Sequence, residues 1–324
     1  MISRMLNAVK VSCLFIGAVV GAGFATGREV ILFFGNSGSL TPLIAGLLMG
    51  CASGVFLFVG KFAPSGGIWR LLARITDFLV FCAMVITFAV MCSAAEQLFS
   101  DAFDVPLVGL ACGIICAIAS SFEMKFIKNI SFTLVAALTV SIAVMYFMCD
   151  KVHGQYIDLF SAFKYCGMNM LTGGCLIKDE GKRMKNGEIF LCSLITAVIC
   201  ALLLVMVYVV ASVNAECDMP VYEFALKNHA AALGGILIVA AILSTLLGAG
   251  RAACTYMEGF FSSSAMPVIF LCSIAVIGYS MDFSAAVDTY YPVIGVFGSC
   301  VCIVYALSFA AETRRKLLIF KRRI

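Results

Sequence analysis

Read for its apolar and polar positions, the chain is a succession of long apolar runs separated by short polar stretches. Ten runs are expected as helices, at about 8–34, 39–62, 75–99, 106–122, 129–149, 156–177, 188–213, 231–258, 265–281 and 288–311. A helix of about 20 apolar residues rises far enough to cross the ~30 Å hydrocarbon core of a bilayer, so each run is read as a membrane span. No linker or low-complexity stretch divides them, which predicts one domain over residues 1–324. The longest outer connection, Asn214 to His229, places Pro220 ahead of Val221-Tyr222-Glu223-Phe224-Ala225-Leu226 and predicts a short helix started by the proline.

Three runs carry features that a plain lipid-facing helix does not need. The first holds Gly17, Gly21, Gly23 and Gly27 at membrane depth. Glycine weakens a helix and permits unusual backbone angles, so this run can open at Gly21 and Gly23. Freed N–H and C=O groups in lipid must then be buried in protein or line a polar cavity. Gly17 and Gly21 also form a GxxxG pair, which lets an unbroken helix pack closely on a neighbour, and both readings stay open at this point. The spacing Gly21-x-Gly23-x-x-x-Gly27 misses the GxGxxG of a dinucleotide loop and follows no short strand. The sixth run is interrupted by Gly167, Gly173 and Gly174, and it stands in the second group of five where the first run stands in the first. Paired interrupted spans in corresponding positions point to a binding site at a repeat interface. In the eighth run, Ala241 lies one turn before the adjacent hydroxyls of Ser244 and Thr245. One carbonyl and two hydroxyls, joined by two carbonyls of an opened first run, give five neutral oxygens suited to sodium. The competing reading is that both hydroxyls back-bond within their own helix.

Charge fixes the expected orientation. With the N-terminus inside, seventeen lysines and arginines fall on inner stretches, while the outer loops hold only Lys151 and Lys227. Outer stretches carry acids instead, among them Asp101, Asp104, Asp150, Asp158, Asp218 and Asp282. Both termini are therefore expected in the cytoplasm, with residues 312–324 as a cytoplasmic tail and the protein in the inner (plasma) membrane. Composition agrees: 63% hydrophobic and 12% charged residues exclude a soluble globular domain, and a net charge of +4 explained by topology leaves no basic stripe for nucleic acid. Nearly all of the sixteen cysteines lie inside apolar runs without a CxxC pair, and His153 and His229 are far apart, so neither a disulfide scaffold nor a zinc site is expected. No nucleophile–base set suggests an enzyme. Lys164, on the outer half of the sixth run, is a charge at membrane depth. It is read as a substrate-carboxylate ligand or proton carrier, against snorkelling to the interface beside Asp158.

Gly17-x-x-Val20-Gly21-x-Gly23 together with Ala241-x-x-Ser244-Thr245 resembles the sodium-coupled transporters of the LeuT fold, in the amino acid-polyamine-organocation superfamily. Gly21-Ala22-Gly23-Phe24-Ala25-Thr26-Gly27-Arg28-Glu29 is similar to the YkvI-type bacterial membrane proteins. The resemblance implies an all-α protein of ten transmembrane helices built as a 5+5 inverted repeat, about 8–149 and 156–311, with helices 1 and 6 broken. It implies a sodium site from the carbonyls of Gly17, Val20 and Ala241 and the hydroxyls of Ser244 and Thr245. N–H groups near Gly21, Ala22, Gly23 and Phe24, with Lys164 and Gly167, would face the substrate. Phe24 departs from the pattern of symporters with a second sodium, which implies one sodium. Some relatives replace sodium with a lysine on the fifth span, and this chain has none in the core of that span. Arg28 with Asp288 is expected as the outer gate, and Arg4 with Glu258 as the inner gate.

The function expected is sodium-coupled uptake of a small carboxylated solute such as an amino acid by alternating access, with sodium and lipid as the partners and no obligate protein partner. Two alternatives stand beside it: an amino-acid sensor like the germinant-receptor subunits of the same superfamily, and proton-coupled transport through Lys164.

Overall fold

The computed structural model describes residues 2–62, 67–149, 156–261, 263 and 265–321. Asp150, Lys151 and His153 and the tail residues Arg322 and Arg323 lie outside the described residues, as do the side chains of Arg70, Asp101, Arg315, Lys316 and Lys321. Among the described residues every regular element is helical.

The first run is split into three pieces, α1 (Ile2–Val19), α2 (Ala22–Thr26) and α3 (Arg28–Phe34). It is followed by α4 (Leu40–Phe62), α5 (Gly67–Phe103), α6 (Val108–Ala119) and α7 (Met124–Phe147). The sixth run is α8 (Leu159–Asn169), a π-helical turn (Met170–Gly174), α9 (Cys175–Lys178) and a 3-10 turn (Asp179–Arg183). Then come α10 (Asn186–Ser212), α11 (Pro220–Lys227), α12 (Ala231–Glu258), α13 (Ala265–Tyr279) and α14 (Phe283–Lys321). Among the described residues six segments are long and apolar enough to cross a membrane: Leu40–Phe62, Leu71–Ser100, Met124–Phe147, Asn186–Ser212, Ala231–Glu258 and Phe283–Arg314. The other four expected spans are the two interrupted runs and the shorter apolar helices α6 and α13. Large apolar side chains such as Ile115, Val140, Phe190, Ile269 and Leu307 face outward on these helices. A contiguous apolar girdle of this kind is a lipid-facing surface, and the chain is a multi-pass membrane protein.

Helix α4 packs along α10. Helix α1 lies on α7 and α10, and α8 lies on α14 and α4. Helix α5 packs on α6, α13 and α14, while α12 packs on α13, α6 and α7. Exchanging the first five runs for the second five maps α4–α10 onto itself and each of the other pairs onto another of the set. Close backbone approach makes the α4–α10 pair possible, since a Cβ on Gly46 or Gly50 would lie 2.4 Å or less from backbone or Cβ atoms of Ala201 and Ala197.

The sixth run corrects one expectation. It does not unwind: its glycines sit in continuous helical turns, and the irregularity is the extra residue of a π turn. Gly167 serves packing, because a Cβ there would stand 2.4 Å from the Ser299 nitrogen of α14 and one on Gly298 would meet the Gly167 carbonyl. The predicted loop helix is present as α11, with Pro220 in its first turn, and it packs on α12, α10 and α2.

Candidate functional site

The break in the first run sets the site. Gly21 is extended (φ −86°, ψ −171°), and its N–H reaches back to the Val19 carbonyl at 2.9 Å instead of to Gly17. The Gly17 carbonyl, without its helical partner, accepts from the Thr245 hydroxyl of α12 at 3.1 Å. The Ala22 N–H, also displaced, points at the Met91 sulfur at 3.2 Å. Ser244 donates to the Ala241 carbonyl three residues back on its own helix at 3.0 Å, the back-bonded arrangement. Break and close packing coexist here, because a Cβ on Gly17 would meet the Ser244 Cβ at 3.3 Å. A second interruption follows at Gly27, whose φ of +84° ends α2 and starts α3.

Beside the break lies a small cavity of about 20 Å³ lined by Gly21, Glu29, Asn169, Thr172, Thr245 and Tyr291, with apolar neighbours. It has room for one water-sized group. The Glu29 side chain is buried and accepts a hydrogen bond from the Tyr165 hydroxyl at 2.7 Å. Phe33 and Phe34 clamp the Tyr165 ring at centroid distances of 5.3 and 4.9 Å. The Asn169 amide donates to the Tyr165 carbonyl at 3.0 Å, and the Thr172 hydroxyl donates to the Asn169 carbonyl at 3.2 Å. Gly23 lies against this group, since a Cβ there would stand 2.8 Å from Glu29 Oε2 and 3.2 Å from the Tyr291 ring. Ala22 and Phe24 are buried in the same short helix.

Other candidates lie elsewhere. Lys164 does not line the cavity: its ammonium sits 4.7 Å from the centre of the Phe160 ring, one turn earlier on α8, beyond which Asp158 caps the helix. A long stem reaching for the polar end of its helix is the physical reason. Arg28 Nε meets Asp288 Oδ1 at 3.2 Å, and Arg28 also lies 3.6 Å from Asp218, so the expected outer pair is in contact. The Arg4–Glu258 pair is not formed. Arg4 is 3.5 Å from Glu188 at the start of α10, and Glu258 pairs at 3.1 Å with Arg251, two turns back on α12. Each charge takes a partner already held near it by helix packing. Glu96 accepts from the backbone of Leu107 and Gly109 and so caps the start of α6.

On the face that carries the basic loops, a cavity of about 1110 Å³ opens between helices, lined by Asp77, Cys175, Lys178, Arg251, Tyr256 and Tyr305 among others. Ion pairs stand in its wall, among them Lys178 to Asp77 at 2.8 Å and Lys182 to Asp179 at 2.6 Å, and Glu180 of the wall pairs with Lys128 at 2.9 Å. The π turn joins the two cavities along the chain, with Thr172 in the small one and Cys175 and Leu176 in the large one.

No family model matches the chain, and no curated protein does. Solved structures do. A manganese transporter of Eremococcus coleocola, in complex with an aromatic bis-isothiourea substituted compound, aligns with a TM-score of 0.62 at 15% identity over 94% of this chain and 78% of that one. A single-site mutant of the same transporter aligns at 0.60 and 14% over the same shares. The chain has a membrane-transporter fold. That likeness concerns the fold, and it leaves the site to be read from this chain's own residues.

Sequence reasoning missed Tyr165, Asn169, Thr172 and Tyr291, and it read Glu29, with Arg28, at the outer gate position. The signal for Glu29 was present as an acid at membrane depth. Arg28 and Glu29 are consecutive, hence about 100° apart on α3, so with Arg28 turned to Asp288 the next side chain turns inward.

Proposed function

We propose that this protein is a sodium-coupled secondary transporter of a small carboxylated solute, an amino acid, working by alternating access through ten membrane helices arranged as a 5+5 inverted repeat. The observation that carries it is the Gly17 carbonyl, freed by the break at Gly21 and met by the Thr245 hydroxyl beside a polar cavity. The exchange symmetry of the helix packing supports the inverted repeat. The sodium ligands in this reading are the carbonyls of Gly17, Val20 and Ala241 and the hydroxyls of Ser244 and Thr245. All are neutral oxygens, a set that suits a monovalent cation. Because the set spans α1 and α12, an ion bound there favours one packing of these helices over the other, which is what couples ion to solute.

The basic face is the cytoplasmic one in this reading. The large cavity is then an inward-facing vestibule, and Arg28–Asp288 with α11 closes the outer side. Lys128–Glu180 and Lys178–Asp77 replace Arg4–Glu258 as the candidate inner gate. A manganese cargo, suggested by the neighbours, has less support: among the described residues no three His, Cys, Asp or Glu side chains come together as a metal site, and the small cavity offers one carboxylate.

The test is thermal unfolding of the purified protein in sodium against potassium, with glycine, alanine and serine, for wild type and Thr245→Ala. A ligand at 100 times its Kd adds about 2.7 kcal/mol. Sodium should raise stability in the wild type and not in Thr245→Ala. Amino-acid stabilisation with no sodium effect in the wild type would refute sodium coupling and favour the sensor.

A further inference from the structure

The small cavity is lined by one carboxylate, Glu29, and the gate and sodium readings leave it without a role. Glu29 is 2% exposed, yet its only hydrogen bond among the described residues is the one from Tyr165 to Oε1. A carboxylate accepts at about four lone-pair positions, so most of its capacity is unused. Among the described residues no cation is within ion-pair reach of it: Arg28 is held by Asp288 and Asp218, and Lys164 lies over Phe160. A buried carboxylate with a single hydroxyl partner is costly and calls for a positive group.

The surroundings are shaped for such a group. Glu29 Oε2 packs against Gly23 of the broken helix, so closely that a Cβ there would stand 2.8 Å from it. The other polar side chains around the cavity can act as acceptors: the Asn169 side-chain oxygen, whose amide nitrogen donates to the Tyr165 carbonyl, and the hydroxyls of Thr87, Thr172, Thr245 and Tyr291. An ammonium presents three donors and no acceptor, which matches an acceptor-rich wall. The cavity volume of about 20 Å³ holds one non-hydrogen group of that size. Tyr165 fixes the carboxylate in place and is itself fixed by Phe33, Phe34 and Asn169.

We propose that Glu29 receives the ammonium group of the substrate, so that the solute must carry a small, unhindered amine, and that Tyr165 is the positioning residue for its carboxylate. This rests on the transporter reading and deepens it. It assigns to the chain a substrate class, small primary amines and zwitterions, in place of carboxylates in general.

The experiment measures Kd for glycine, alanine and serine, for their hydroxy-acid counterparts glycolate, lactate and glycerate, and for methylamine and ethylamine. It uses full-length wild type, Glu29→Gln, Glu29→Asp and Tyr165→Phe in detergent, with affinities measured in sodium and thermal stability of each protein compared in sodium and potassium. The wild type should bind the amino compounds and reject the hydroxy acids. Glu29→Gln should weaken the amino compounds roughly 10- to 100-fold and erase the discrimination, as expected for losing a charged hydrogen bond. Glu29→Asp should keep the discrimination at lower affinity, and Tyr165→Phe should keep it with a smaller loss. If Glu29→Gln does not fold, the wild-type selectivity and the other two variants still decide. Hydroxy acids binding the wild type as tightly as amino acids would overturn the proposal and leave the transporter reading standing. So would Glu29→Gln losing sodium stabilisation while keeping amine selectivity, which would make Glu29 an ion ligand. No stabilisation of the wild type by any compound would overturn both.

Discussion

Gly27 joins α2 to α3 and so aims Glu29, and its replacement by alanine has a cost that can be worked out. Its φ of +84° lies in the left-handed region, where a Cβ costs about 1–2 kcal/mol. That Cβ would also stand 2.6 Å from the Ala211 Cβ of α10 and 3.0 Å from Val221 Cγ2 of α11, an overlap worth about 1–3 kcal/mol in a packed interior. Gly27→Ala should therefore lose about 2–5 kcal/mol. The two parts separate in a double-mutant cycle. In an Ala211→Gly background the steric part falls and the backbone part remains, so the two substitutions should couple favourably by about 1–2 kcal/mol. Gly187→Ala is the control, since nothing lies within 4 Å of a Cβ there and the residue is inside α10; it should be neutral or stabilising by up to about 1 kcal/mol. The assay is denaturant unfolding in mixed micelles followed by fluorescence or helicity. A Gly27→Ala protein within about 0.5 kcal/mol of wild type, or a cycle without coupling, would refute the reasoning.

Two further outcomes are expected. Gly167→Ala should destabilise the fold by driving α8 from α14 at Ser299, while ligand affinity of the folded fraction stays within about two-fold of wild type, as titration of the purified variant would show. The Arg28–Asp288 pair is partly solvent-exposed, so Arg28→Ala should cost under about 1 kcal/mol of stability but change the salt dependence of uptake. The double charge swap Arg28→Asp with Asp288→Arg should restore that dependence if the contact acts as a gate.

The sequence by itself determined the membrane nature of the chain and the places where its helices run. Both follow from local rules, because a bilayer forces each apolar run to satisfy its own backbone. An opening at Gly21 was one of two readings the sequence left, since glycine at membrane depth weakens a helix wherever it stands and also lets helices pack closely. Glycines look alike in sequence, however, and what each one faces is a tertiary matter. Gly21 lies in a broken segment beside a cavity, Gly167 lies under Ser299, and Gly27 takes a left-handed turn between two helices. Charges were underdetermined for a related reason. Many partners stand at comparable sequence distance, and only helix packing put Arg28 on Asp288 while giving Arg4 to Glu188 and Glu258 to Arg251. Lys164 and Glu29 show the same limit most clearly. Both are ionisable groups in apolar runs. A lysine stem long enough to leave and a glutamate too short to do so end on opposite sides of the question, one over Phe160 and the other inside the cavity.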